Sequence, residues 1–163
     1  MKKKITLLAI STFIIVLLDQ LTKNHIVANF QYGESVDVIN NFFNITYVRN
    51  YGAAFGILTD IKASIRDTFF LIMPPFAMTV IFFMLKMTPL HEKIRKISLC
   101  AVFAGALGNY IDRIRYGYVV DFIDFHYYGK WAYPAFNVAD ISIVCGITVL
   151  CLLEFFPQKK DLA

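Results

Sequence analysis

Polar and apolar positions divide this chain into four long apolar runs separated by polar stretches. The first opens after Lys2-Lys3-Lys4: residues 5–18 carry no charge, and the run continues through Asp19 to about Thr22. The second is the clearest, with 18 uncharged positions, 68–85, between Asp67 and Lys86. It contains Pro74-Pro75, an interruption that membrane helices tolerate. The third holds 15 uncharged positions, 97–111, and then meets Asp112-Arg113. The fourth runs from Phe136 to Phe156, with Asp140 near its start and 13 uncharged positions at 141–153. About 20 residues of helix cross the hydrocarbon core of a bilayer. The last two runs reach that length only by taking in polar residues at one end. The pattern predicts one membrane-embedded domain over 1–163, with transmembrane helices at about 5–24, 67–86, 96–114 and 136–156.

Between the first two runs the pattern changes. Residues 36–58 are rich in β-branched and aromatic side chains, which predicts short strands. Gly52 and Gly56 there permit tight turns or close backbone approach. A small β element resting on the membrane surface is expected.

Composition narrows the class. Hydrophobic residues make up 58% of the 163 positions and charged residues 17%, against about 25% charged in a soluble domain. That balance excludes a soluble enzyme, a disordered chain and a disulfide scaffold. Cys100, Cys145 and Cys151 all lie in apolar runs and form no Cys-x-x-Cys pair, so they read as packing residues. His25, His91 and His126 are scattered, and neither a metal site nor a cofactor is expected. The basic start and apolar continuation resemble a secretory signal peptide. However, Asp19-Gln20-Leu21-Thr22-Lys23 stands where a small-residue cleavage site would be, so the segment reads as a retained helix.

The net charge of +4 adds orientation instead of a nucleic-acid partner. Nine of the 16 basic residues flank one set of run ends: Lys2, Lys3, Lys4, Lys86, Lys93, Arg95, Lys96, Lys159 and Lys160. The positive-inside rule then places both termini in the cytoplasm and regions 25–66 and 115–135 outside. Tyr127, Tyr128, Trp131 and Tyr133 read as an interfacial aromatic belt.

With that orientation, the polar ends of the runs fall in one layer. The first run ends outward at Asp19 and Lys23, and the third at Asn109, Asp112 and Arg113. The fourth begins at Asn137 and Asp140, while Asp121 and Asp124 follow the third on the same side. Ionisable groups within a membrane are costly and are functional candidates by default. Asp19 and Lys23 also fit a plain i,i+4 ion pair. Asp112 and Arg113 are adjacent and do not face each other on a helix. They suit supporting roles, with Arg113 holding a carboxylate by a bidentate contact. Asp121 and Asp140 have no basic neighbour. Two carboxylates brought together in a low dielectric share one proton, so that one is acid and the other base. Such a pair can activate water against a peptide carbonyl and protonate the leaving amine. On spacing alone, two aspartates 19 residues apart equally suit a proton site in a small transporter. Asp124 also rivals Asp121.

Four blocks carry a resemblance. They are Asp19-Gln20-Leu21-Thr22-Lys23; Asn50-Tyr51-Gly52-Ala53-Ala54-Phe55-Gly56; Gly105 to Arg113 with Val119-Val120-Asp121-Phe122; and Pro134-Ala135-Phe136-Asn137-Val138-Ala139-Asp140. In this order, at these run ends, the chain resembles the lipoprotein signal peptidases, the bacterial type II signal peptidases. The resemblance implies an intramembrane aspartyl endopeptidase that cuts prolipoproteins on the amino side of a diacylglyceryl-modified cysteine. It implies Asp121 and Asp140 as the catalytic pair. It assigns support or substrate contact to Asp19, Lys23, Asn50, Gly52, Asn109, Asp112, Arg113, Asn137 and Ala139. The implied fold is four transmembrane helices, a small extracytoplasmic β cradle and an outer loop over the active site. The implied location is the bacterial cytoplasmic membrane, with the site near its outer face. Prolipoprotein substrates and membrane lipid are the expected partners, with no nucleic acid, and the chain is expected to act as a monomer. One departure is Ile141, directly after Asp140, where many members have Ser; here Ser142 comes one position later.

Overall fold

A computed structural model describes residues 1–52 and 62–156. Residues 53–56 of the second motif block and the basic pair Lys159-Lys160 lie outside the described residues. In chain order the elements are α1 (Lys2–Asn29), β1 (Ser35–Ile39), β2 (Phe43–Asn50), α2 (Ala63–Met87), α3 (Lys93–Tyr116), β3 (Val119–Tyr127), β4 (Trp131–Ala132) and α4 (Val138–Phe155). All four helices are long and apolar enough to cross a membrane.

The helix ends follow local chemistry. Thr88 leaves the helical region with ψ 129° because Pro89 follows it, and α2 stops there. Gly117 ends α3 in the left-handed region at φ 77°, donating its N–H back to the carbonyl of Arg113. α4 opens with a capping box: the Asn137 side chain accepts the N–H of Asp140, and the Asp140 side chain accepts the N–H of Asn137.

The middles of the helices present apolar side chains outward, and a few charged groups lie inside. Phe13, Ile14, Leu17, Leu18 and Leu21 of α1 are exposed, while Asp19, Lys23, Asp112 and Asp121 are buried. α3 is the central helix, packing against α1, α2 and α4. It takes polar residues because it is surrounded by protein. α3 and α4 approach closely because both carry glycine at the crossing. A Cβ on Gly146 would lie 2.6 Å from Cγ2 of Val102, and one on Gly105 would collide with the Ala139 carbonyl.

The four strands form one antiparallel sheet in the order β1-β2-β3-β4. Of the stretch 36–58 in which short strands are expected, the described residues form β1 and β2. β3 adds a strand where the sequence shows only an apolar stretch. Val119 to Phe122 are all buried, so the alternation that marks a half-buried strand is missing. α1 runs past the membrane-length segment to Asn29, and its last turns pack Ile26 against Tyr47, Val120 and Phe122 of the sheet. The backbone of Phe136 exchanges hydrogen bonds with Ile123, which joins the start of α4 to β3.

One expectation changes. Only Cys100 is buried; Cys145 and Cys151 lie exposed on α4 and contribute nothing to the interior. Ile141 is also outward-facing, and the Ser142 hydroxyl donates to the Val138 carbonyl, so this departure from the family pattern faces away from Asp140.

Candidate active site

Asp121 sits on β3 opposite Val48 of β2, in a ladder position and not on a loop. Asp140 sits in the first turn of α4. Both line one cavity of about 700 Å³, together with Asn50, Gly52, Asn109 and Arg113.

Each carboxylate oxygen has one described donor. Asp121 accepts Asn50 Nδ2 on Oδ2 at 2.9 Å and Asn137 Nδ2 on Oδ1 at 2.7 Å. Asp140 accepts Asn109 Nδ2 on Oδ1 at 2.7 Å and the backbone N–H of Asn137 on Oδ2 at 3.2 Å. Asn137 therefore touches both aspartates.

The orientation of all three amides follows from what lies behind them. Asn50 Oδ1 accepts the Gly52 N–H, Asn109 Oδ1 accepts the Lys23 ammonium at 2.8 Å, and Asn137 Oδ1 accepts the Asp140 N–H. Each of these partners can only donate. The NH₂ ends must then face the carboxylates.

Behind the amides lies a buried charge cluster. Lys23 meets Asp19 at 2.9 Å and Asp112 at 3.0 Å, and all three side chains are almost wholly enclosed. Asp19 also accepts the Ala139 N–H, one of the unpaired donors at the start of α4. Asp112 accepts the Val120 N–H at 3.1 Å, next to Asp121. The i,i+4 pair on α1 is thus part of a three-helix network and not a local surface bridge.

All eleven residues singled out in the sequence meet here, and one of them makes a different contact from that expected. Among the described residues Arg113 holds no carboxylate: its NH2 donates to the Gly52 carbonyl at 2.9 Å, and its guanidinium lies 4.2 Å from the Phe70 ring centre. A backbone carbonyl carries no residue signature, so the sequence could not name it. Gln20 is an addition, donating to Asp112 at 2.8 Å and accepting from Arg115 at 3.2 Å. Its only signal was a place in the first motif block. Asp124 also lines the cavity but faces His126 at 3.8 Å, apart from the asparagine network.

Burial raises the Asp121 carboxyl to about 7, with the charge of Asp140 adding to the effect and Asn50 and Asn137 opposing it. Among the described residues no cation pairs directly with Asp121 or Asp140. Beside the cavity, Arg49 lies over the rings of Tyr32, Tyr47 and Tyr118. The Tyr118 hydroxyl, desolvated and bonded to Tyr47, is pushed up to about 12.

Two acidic groups lining one cavity in a four-helix membrane fold, one of them near neutrality, suit an aspartic-type peptidase in a multi-pass membrane protein. Comparison with known proteins agrees. The sequence model of the family described as signal peptidase (SPase) II matches residues 11–156. The lipoprotein signal peptidase of Syntrophus aciditrophicus (strain SB) is 42% identical over 161 residues, covering 99% of each chain. That of Clostridium tetani (strain Massachusetts / E88) is 40% identical over 146 residues, covering 90% of this chain and 88% of its own. A solved bacterial membrane enzyme, 35% identical, superposes with a TM-score of 0.81 over 96% of this chain and 93% of its own. The chain belongs to the signal peptidase II family.

Proposed function

We propose that this protein removes signal peptides from prolipoproteins in the bacterial cytoplasmic membrane, with Asp121 and Asp140 as its catalytic dyad. The observation that carries this reading is the pair of aspartates on one cavity, Asp121 buried and Asp140 half-buried, each oxygen held by an N–H donor. One carboxylate takes a proton from water, and the oxygen attacks the scissile carbonyl. The partner carboxyl protonates the carbonyl oxygen, and the leaving amine takes up a proton as the C–N bond breaks. Lys23, Asp19, Asp112, Asn50, Asn109 and Asn137 hold the dyad, while Arg113 fixes the Gly52 backbone beside it.

The basic flanks support cytoplasmic termini and an outward-facing sheet that cradles the substrate, with an outer loop over the site. The site then lies near the outer face, at the depth of a cysteine whose diacylglyceryl chains remain in the bilayer. Cleavage falls on the amino side of that cysteine. The chain acts as a monomer, with membrane lipid as its surroundings.

The test uses purified protein in detergent micelles with a diacylglyceryl-modified prolipoprotein. Wild type should release the signal peptide, while well-folded Asp121→Asn and Asp140→Asn should not. Cleavage by either variant removes the dyad. No cleavage by folded wild type removes the peptidase reading and redirects attention to proton flux.

A further inference from the structure

We propose that the negative charge of the dyad resides on Asp140, which acts as the base, that Asp121 starts as the acid, and that Lys23 sets this division through Asn109. The proposal rests on the dyad reading above and deepens it.

The two carboxylates share similar donors but have different surroundings. Asp140 lies in the first turn of α4, where the helix dipole favours an anion and the Asn137 N–H donates to its carboxylate. Asp121 lies on a strand, and its two donors are neutral side-chain amides. Behind Asp140 stands a buried cation at one amide's remove: Lys23 bonds Asn109, and Asn109 bonds Asp140. Lys23 can only donate, so it turns the amide and polarises its N–H toward Asp140.

Other charges face the pair from every packed element, and none supplies the same asymmetry. On α1 and α3, Asp19 and Asp112 are tied to Lys23 and to backbone N–H groups. Asp19 opposes a charge on Asp140, and Lys23 at 2.9 Å screens it. Arg113 acts on both aspartates through space. Arg66 of α2, Arg49 of β2 and Asp124 of β3 line the cavity wall. Lys23 bears on both aspartates through space, but among the described residues its hydrogen-bonded path through Asn109 ends on Asp140. The raised Asp121 carboxyl agrees, because burial and a charged neighbour keep a proton there near neutral pH.

The reaction then has a fixed direction. Asp140 takes the water proton as the oxygen bonds the carbonyl carbon, and Asp121 gives its proton to the carbonyl oxygen. A neutral gem-diol forms. The proton on Asp140 passes to the amine nitrogen as the C–N bond breaks. A gem-diol hydroxyl returns its proton to Asp121, leaving both groups as they began.

Two measurements test the assignment. Infrared spectra of wild type near pH 6 should contain a protonated-carboxyl band that is missing from Asp121→Asn. A band persisting in Asp121→Asn, or absent from wild type, overturns the assignment. The pH profile of kcat/KM tests the relay. In Asn109→Ala, which keeps both ion pairs of Lys23, the acidic limb should move up by about one pH unit or more. Lys23→Gln should move it the same way if it folds. An acidic limb unmoved in Asn109→Ala, with the rate lowered equally at every pH, leaves Lys23 a merely structural role and overturns the relay. Failure of the dyad itself shows separately, as cleavage by Asp121→Asn or Asp140→Asn.

Discussion

The Asp19 carboxylate accepts the backbone N–H of Ala139 at 2.9 Å, so a side chain of α1 caps the first turn of α4 across 120 residues of sequence. The contact needs close approach, and Gly108 of α3 provides it. A Cβ at Gly108 would stand 2.8 Å from Asp19 Oδ2 and 3.2 Å from Ala139 Cβ. Gly108→Ala should therefore lose about 1–3 kcal/mol of stability by overpacking. Ala139→Val should do likewise. Thermal unfolding in detergent measures both, and an unchanged midpoint would show that the three-helix junction relaxes freely.

Asn137 serves two purposes at once, capping α4 and bonding both aspartates. Asn137→Ala should cost about 1–2 kcal/mol for the lost cap. Its turnover should fall by about 100-fold or more, because positioned polar groups at reacting centres are worth that much. A variant that melts early yet cleaves at the wild-type rate would separate the cap from the chemistry.

The pH dependence follows from Asp121, which burial raises to about 7. It must carry a proton to serve as the acid, so kcat/KM should decline as pH rises through about 7. The stability effect has the same sign. Between the ordinary carboxylate value near 4 and about 7, the folded state holds a proton that the unfolded chain releases. Stability from this group is thus full below about 4 and lost as pH rises through 7. A profile still rising beyond pH 8 would contradict the assignment of Asp121 as the acid.

Arg113 bonds the Gly52 carbonyl and stacks on Phe70. Lysine keeps the charge but loses the planar fork and the stacking. Arg113→Lys should lower kcat/KM by about tenfold. Full activity would mean that charge alone suffices at this position.

Much of this arrangement was legible because charge is scarce in the sequence. Runs such as 68–85, closed by Asp67 and Lys86, mark helices directly. Asp19, Asp112 and Asp140 stand out because a carboxylate in such surroundings needs a partner. The strand under Asp121 was hidden because Val119 to Phe122 are buried together and show no alternation. The contest between Asp121 and Asp124 was also beyond spacing. Among the described residues Asn50 and Asn137 bond Asp121 while Asp124 faces His126, and those contacts exist only once β2, β3 and α4 meet. The carbonyl partner of Arg113 was illegible for a different reason: every residue type has one.

The hydrogen bonds between Phe136 and Ile123 have a mechanical consequence. They stitch the chain to β3 immediately before α4 begins, and Asn137 clamps the same point to Asp121. The close seats of Gly105 on Ala139 and of Gly146 on Val102 hold the first half of α4 to α3, so Asp140 lies in its fixed part and Phe155 beyond it. Bilayers of different thickness tilt helices to match. Such a tilt is taken up by the packed α3–α4 pair as a unit or by the end of α4 beyond Gly146, and not at Asp140. The spacing of Asp121 and Asp140 is thereby set by the protein's own packing and not by the thickness of its bilayer.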